Sequence, residues 1–313
     1  MGEISWYREP YNKQVKEIFL SEIDLSKYPN RWWERLFEKT KSFEEKYGKD
    51  FCCFTTPEII EIYKYLDIKS FESIMVININ LIKYGDWALM NGLITDGQNH
   101  FSEIRNEVLR DCINEVGLNK SIISLEDLKN ILPKIRNEQD RYIFYAVFEG
   151  IKGKNYCEIV QLKMDDLDQK NCTAKLVSGR TINVAKDFIY IASDADKQRE
   201  YVRSDENIIP LIPGEYIYKE KNNSRGVNTP RSVQTAFLKV VESVGVSKYI
   251  TASSVYNSGF IHYLNIRAKD NDMTVEELFE SNNGELVQDI VDKYNFNLLT
   301  KKRFILKYKK FLV

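Results

Sequence analysis

Three stretches of the chain carry the side chains best suited to handling an anion. "EGIKGKNYCEI" (149–159) places Lys152 and Lys154 in a glycine-flanked turn. "ITASSVYNSGFIHYL" (250–264) opens on small hydroxyls and amides: Ser253, Ser254, Tyr256, Asn257 and Ser258. "KKRFILKYKKF" (301–311) is a basic cluster containing Lys301, Arg303 and Tyr308. Lysine and arginine bind phosphate through charge, hydroxyls and amides fix its position, and a tyrosine hydroxyl can act as a nucleophile when activated. The plainest reading of 250–264 is a capped helix with one solvated face. Thr251, Ser253 or Ser254 would cap it, and Val255, Phe260, Ile261 and Leu264 would form its apolar stripe.

Two more bases join these candidates. Arg225 lies in the polar loop "KNNSRGVNT", and Arg231 begins the helix "PRSVQTAFLKVVESVG". The only histidines are His100 and His262, and His262 reads as an ordinary helix residue. The five cysteines include no C-x-x-C pair, and Cys52 and Cys53 are adjacent, which suits neither an ordinary disulfide nor a zinc site. No metal or cofactor is expected.

The 313 residues favour two domains, and 45 Lys and Arg against 46 Asp and Glu give a net charge of -1. A whole-chain basic excess is therefore absent, and any nucleic-acid surface must come from local clustering. No signal peptide and no membrane-length apolar run is visible, which predicts a reduced, cytoplasmic protein without membrane contact.

The elements that must position these residues are mainly helical, since glycine and proline are scarce, at 14 and 7. "PNRWWERLFEKTKSFEEKYGKD" is an amphipathic helix with Trp33, Leu36, Phe37 and Phe43 inward. "TTPEIIEIYKYLD", "SFESIMVININLIKYGDWALMNG" and "FSEIRNEVLRDCINEVG" each predict one further helix. Asn137 is a plausible cap for the apolar helix "NEQDRYIFYAVFEGI". "TAKLVSGRTINV" predicts a hairpin around Ser178-Gly179, in the only β-rich region, and "AKDFIYIASDADKQREY" a helix. Helices at 251–267, 274–281, 285–294 and 300–311 complete the chain. The expected architecture is a helical domain over 1–120 and an α+β domain with a small sheet over 121–313.

This order of elements resembles the tyrosine recombinases, or phage integrases, across roughly residues 30–311. In "AVFEGIKGKNYCEIVQLKMDDLD", Gly150, Glu158, Ile159, Leu162 and Asp166 match that family's first box. The family's arginine, three residues before the glutamate, is Asn155 here. In "SSVYNSGF", Ser253 stands at the histidine position and Tyr256 at the second arginine position. "ILKYKKF" places Tyr308 where the family carries its nucleophile. Neither asparagine nor tyrosine supplies the bidentate cation that stabilises an attacked phosphate.

The resemblance, which extends to the lytic-cycle repressors of SPbeta-like phages, implies a helical core-binding (SAM-like) domain followed by a catalytic-like domain without its catalytic residues. It further implies a non-enzymatic, sequence-specific repressor that maintains lysogeny. Its partners would be double-stranded DNA operators, with a homo-oligomer on DNA and a phage or host regulatory protein as further candidates. Lys152, Lys154, Arg225, Arg231, Tyr256, Lys301 and Arg303 would form the DNA face. Asn78, Asn80 and Lys83 of the long N-terminal helix would read base edges. An active but divergent integrase is one alternative, and a helical protein-interaction module unrelated to DNA is another.

Overall fold

A computed structural model of the protein describes residues 6–28, 31–203, 205–222, 230–281 and 284–312, the side chains of 230 and 231 excepted. The chain divides into two compact units, Met1–Gly117 and Leu118–Val313.

The first unit is helical: α1 (Lys13–Glu22), α2 (Trp32–Tyr47), α3 (Thr56–Tyr65), α4 (Phe71–Met90) and α5 (Asn106–Asp111), with α6 (Glu115–Asn119) at the division. Local chemistry explains the boundaries. Gly48 ends α2 in a left-handed conformation, and the Glu58 carboxylate accepts from both Thr55 N–H and Thr55 Oγ1 at the start of α3. Ser70 caps α4 by accepting from Ser73 N–H at 3.3 Å. Phe19, Trp33, Phe37, Phe51, Tyr63, Ile74, Leu81 and Tyr84 form the core.

Two expectations fail in this unit. "FSEIRNEVLRDCINEVG" is not one helix but a 3-10 turn at His100–Glu103 followed by α5 and α6. Asn99 Oδ1 accepts from Phe101 N–H, Asn114 Oδ1 accepts from Gly117 N–H, and Asn114 N–H donates to Ile68 O at 2.8 Å. Asparagine side chains thus compete with the helical ladder, and a tertiary bond favours the break. Asn78 and Asn80 do not face solvent either. Asn78 Oδ1 accepts from the buried Tyr63 hydroxyl at 2.6 Å, while Asn80 donates to Val76 O and accepts from Lys83 Nζ. Both side chains are buried in this unit, 6% and 7% exposed, and are not placed to read bases.

The second unit is built around α8 (Glu138–Phe148), which is buried along almost its whole length. α7 (Leu125–Ile131) precedes it, and α9 (Cys157–Val160), α10 (Lys186–Lys197), α11 (Pro230–Val244) and α12 (Ala252–Asp270) follow. Of these, α10, α11 and α12 pack on α8. Two small antiparallel sheets interrupt the helices. β1 (Leu167–Asp168), β2 (Thr173–Lys175) and β3 (Thr181–Asn183) form the first, with Ala174 opposite Ile182. β4 (Glu200–Val202), β5 (Ile208–Ile212) and β6 (Glu220–Lys221) form the second. α13 (Val275–Glu280), α14 (Gly284–Tyr294) and α15 (Lys301–Tyr308) close the unit. Asn137 does not cap α8 with its side chain. It pairs with the backbone of Val202 instead, donating at 3.0 Å and accepting at 2.9 Å, which ties α8 to β4.

Candidate nucleic-acid interface

After α8 the chain enters a turn that few sequences could form. Gly150, Gly153, Asn155 and Tyr156 all adopt positive φ within seven residues. Gly150 and Gly153 are required sterically: a Cβ on Gly150 would lie 2.7 Å from Lys293 O, and one on Gly153 would lie 2.7 Å from Cys157 Sγ. This turn carries Lys152 and Lys154.

Glu158, 1% exposed, holds the turn from behind. Its carboxylate accepts from Lys152 N–H at 2.9 Å and Ser178 Oγ at 2.5 Å. Both of its oxygens accept from Arg180 Nη2, at 2.8 and 2.7 Å, and Oε1 also accepts from Arg180 Nε at 3.2 Å. Arg180 sits just past the β2–β3 hairpin tip. Its Nη1 donates to Asp292 O at 2.6 Å and Lys293 O at 3.0 Å, and its Nη2 also reaches Gly150 O at 3.3 Å. One guanidinium therefore joins the hairpin, the turn and the end of α14. Beside it, the buried Lys293 ammonium donates to Glu149 Oε2 at 2.7 Å and to Asn183 O. Sequence reasoning missed Arg180, Lys293 and Glu149 as site builders. Glu158 is 22 residues from Arg180, and no local pattern links them.

Lys152 is different. It is half-buried, and its Nζ lies 5.3 Å from the Tyr256 ring centre and 5.9 Å from that of Tyr156. Burial depresses its pKa, and no carboxylate pairs with it among the described residues. Lys154 is exposed on the same turn. The structure thus brings Lys152 and Tyr256 together. Tyr256 itself is anchored: its hydroxyl donates to Tyr294 O, and burial pushes its pKa up to about 12.

The polar opening of α12 has a mostly structural answer. Thr251 Oγ1 accepts from Ser254 N–H at 3.1 Å while Ser254 Oγ accepts from Thr251 N–H at 2.8 Å, a reciprocal cap. Ser258 Oγ donates to Ser254 O and accepts from Ile123 N–H at 3.0 Å. Gly259 lets α12 approach α8, since a Cβ there would meet Phe148 O at 1.8 Å. Asn257 Nδ2 donates to Tyr308 Oη at 2.9 Å. Of Ser253, Ser254, Tyr256, Asn257 and Ser258, only Ser253, at the position of the resembled family's histidine, is exposed.

Tyr308 is 4% exposed, packed on Phe304 with ring centres 4.7 Å apart, and burial raises its pKa to about 12. Of the other candidates, Lys301 donates to Phe279 O at 3.4 Å, and Arg303 is exposed on α15. Arg225 lies outside the described residues, and Arg231 starts α11 with its side chain outside them. His262 is half-buried against Phe148, which lowers its pKa, and His100 belongs to the first unit. No cluster of three or more metal-ligating side chains occurs among the described residues, and no helix there is long and apolar enough to cross a membrane.

Residues 122–312 match the model described as MrpR, C-terminal catalytic domain, and residues 10–90 match MrpR, N-terminal core-binding domain. The chain belongs to the MrpR family. Its sequence is also 22% identical over 267 residues to the SPbeta prophage-derived uncharacterized protein YopR of Bacillus subtilis (strain 168), covering 80% of this chain and 81% of that protein. Among solved structures, the Tn1549 transposon integrase in complex with a circular intermediate DNA aligns at 14% identity and a TM-score of 0.47, covering 93% of each chain. Lambda integrase bound to DNA aligns at 15% identity and a TM-score of 0.45, covering 91% of this chain and 96% of that one. The family models thus give this chain a core-binding module followed by a catalytic-type domain.

Proposed function

We propose that this protein is a sequence-specific DNA-binding repressor on a tyrosine recombinase scaffold that no longer cleaves DNA, and that it holds a prophage in lysogeny by silencing lytic genes. One observation carries the reading. Where the resembled family needs two phosphate-gripping arginines stand Asn155 and Tyr256, and the nearby Arg180 spends its fork on Glu158 and backbone carbonyls. Cleavage needs preorganised cations on the attacked phosphate, whereas binding needs only cations distributed along the backbone. Lys152 and Lys154 remain to supply them, with Arg225, Arg231, Lys301 and Arg303 as further phosphate contacts. Tyr256 contributes its ring under Lys152, since its hydroxyl is engaged. The prophage origin of the YopR relative supports the lysogenic setting.

The test has two parts. Mapping of bound DNA across the host genome should return a small set of promoter sites. A nicked suicide substrate carrying one such site should be retained without a covalent protein–DNA adduct. A phosphotyrosyl adduct that disappears in Tyr308→Phe would replace this reading with that of an active integrase.

A further inference from the structure

The first unit holds two neighbouring thiols that the DNA-binding reading does not use. Cys52 is buried and Cys53 half-exposed, in the 3-10 turn Phe51–Cys53, with their sulfurs 3.7 Å apart. Cys53 lines a cleft of about 370 Å³ together with Tyr11, Asn12, Val15, Gly48 and Lys49. We propose that Cys52 and Cys53 form a peroxide-reactive dithiol, in which Cys53 is oxidised first and Cys52 resolves it to a reversible disulfide.

The two thiols are made unequal by their surroundings. The hydrogen bond between the thiols lowers the pKa of Cys53, with Lys49 helping and partial burial and the Asp50 charge opposing, while the same bond and burial raise that of Cys52. As a thiol, Cys53 donates weakly to Leu93 O at 3.3 Å, a bond that ionisation gives up. A lowered, accessible thiol beside a second cysteine is the arrangement that reacts with peroxide and is then resolved. The Cys53 thiolate attacks hydrogen peroxide. An S–O bond forms, the O–O bond breaks, and the leaving hydroxide takes a proton to become water. Cys52 then loses its proton and attacks the Cys53 sulfur; the S–S bond forms and the sulfenic oxygen leaves as a second water. Two thiols give up two electrons and one peroxide receives them.

Adjacent residues have Cα atoms about 3.8 Å apart, below the roughly 4.4–6.8 Å usual for a disulfide. The ring is therefore strained and easily reduced, as labile disulfides are. Its closure also reaches the core. Cys52 N–H donates to Asp50 Oδ1 at 3.1 Å, and Asp50 pairs with the fully buried Lys16 at 3.1 Å and with Tyr84 Oη at 2.7 Å.

The full chain is treated with hydrogen peroxide and its cysteine peptides are mapped by mass. The peptide holding both cysteines should lose two hydrogen masses and regain them with dithiothreitol. Cys52→Ala should leave a sulfenic acid on Cys53 that dimedone traps, and Cys53→Ser should abolish the reaction at this pair. If a variant fails to fold, alkylation of the native chain decides the matter: Cys53 should react faster than the half-exposed Cys172. Equal rates, a sulfinic acid on Cys53 beside an unmodified Cys52, or disulfide-linked dimers through Cys53 would each overturn the proposal.

Discussion

Arg180 and Lys152 occupy the same corner of the second unit and are used in opposite ways. Arg180 gives its fork to Glu158 and its remaining donors to the carbonyls of Gly150, Asp292 and Lys293. Lys152 shares Glu158 only through its backbone N–H and leaves its ammonium above the Tyr256 ring. The difference follows from their chemistry. A guanidinium suits fixed, bidentate structural work, while an ammonium on a flexible stem can follow a ligand. A base in a functional corner is thus identified by its unspent donors and not by its charge alone.

The largest effect that would break this comparison comes from Arg180→Ala. Removing one partner of a buried pair leaves Glu158 uncompensated, at a cost of about 3–5 kcal/mol. Urea unfolding of the full chain should show that loss, with DNA binding failing through the fold. A variant that folds as stably as the parent yet cannot bind would make Arg180 a DNA contact.

Lys152→Ala and Lys154→Ala should do the reverse. Each should leave the unfolding curve nearly unchanged, weaken DNA binding across sequences, and reduce the salt slope by about one. Unchanged slopes in both would move the DNA face elsewhere.

The pH dependence sharpens the same contrast. Burial depresses the Lys152 pKa, so its neutral form gains population below the pH at which an ordinary lysine titrates. The sign for stability is that of a cation disfavoured by folding: the penalty is present at low pH and is relieved as pH rises through the lowered pKa. Binding runs the other way, because phosphate requires the charged form. Affinity should fall as pH rises through that lowered pKa, and this component should be absent from Lys152→Met.

The smallest effect is expected at Tyr308. Tyr308→Phe removes one hydrogen bond, from Asn257, at about 0.5–1.5 kcal/mol. DNA affinity should stay within error of the parent. A large loss of binding would mean that this hydroxyl leaves Asn257 to contact DNA.

Much of the local structure was legible without coordinates. The ends of α2, α3, α4 and α12 follow from Gly48, Thr55, Ser70 and Thr251, whose capping chemistry operates within a few residues. The β2–β3 hairpin follows from Ser178-Gly179 in the same way. Where a distant backbone intervenes, the local reading fails. Ile68 breaks the 101–117 segment through Asn114, Val202 takes the Asn137 side chain that would have capped α8, and Tyr63 takes Asn78 out of solvent.

The same division runs through the site. The resemblance to the integrases, drawn from the chain alone, implies that Asn155, Ser253 and Tyr256 stand where that family carries its charged groups. The sequence by itself also placed Lys152 and Lys154 in a turn, because Gly150 and Gly153 permit backbone conformations that other residues resist. Only the tertiary structure decided which polar groups remained free. Arg180 meets Glu158 across 22 residues and Lys293 across 113, and Tyr308 meets Asn257 across 51. No local pattern encodes such pairs, since burial and the demand that buried polar groups find partners are settled only when the elements pack.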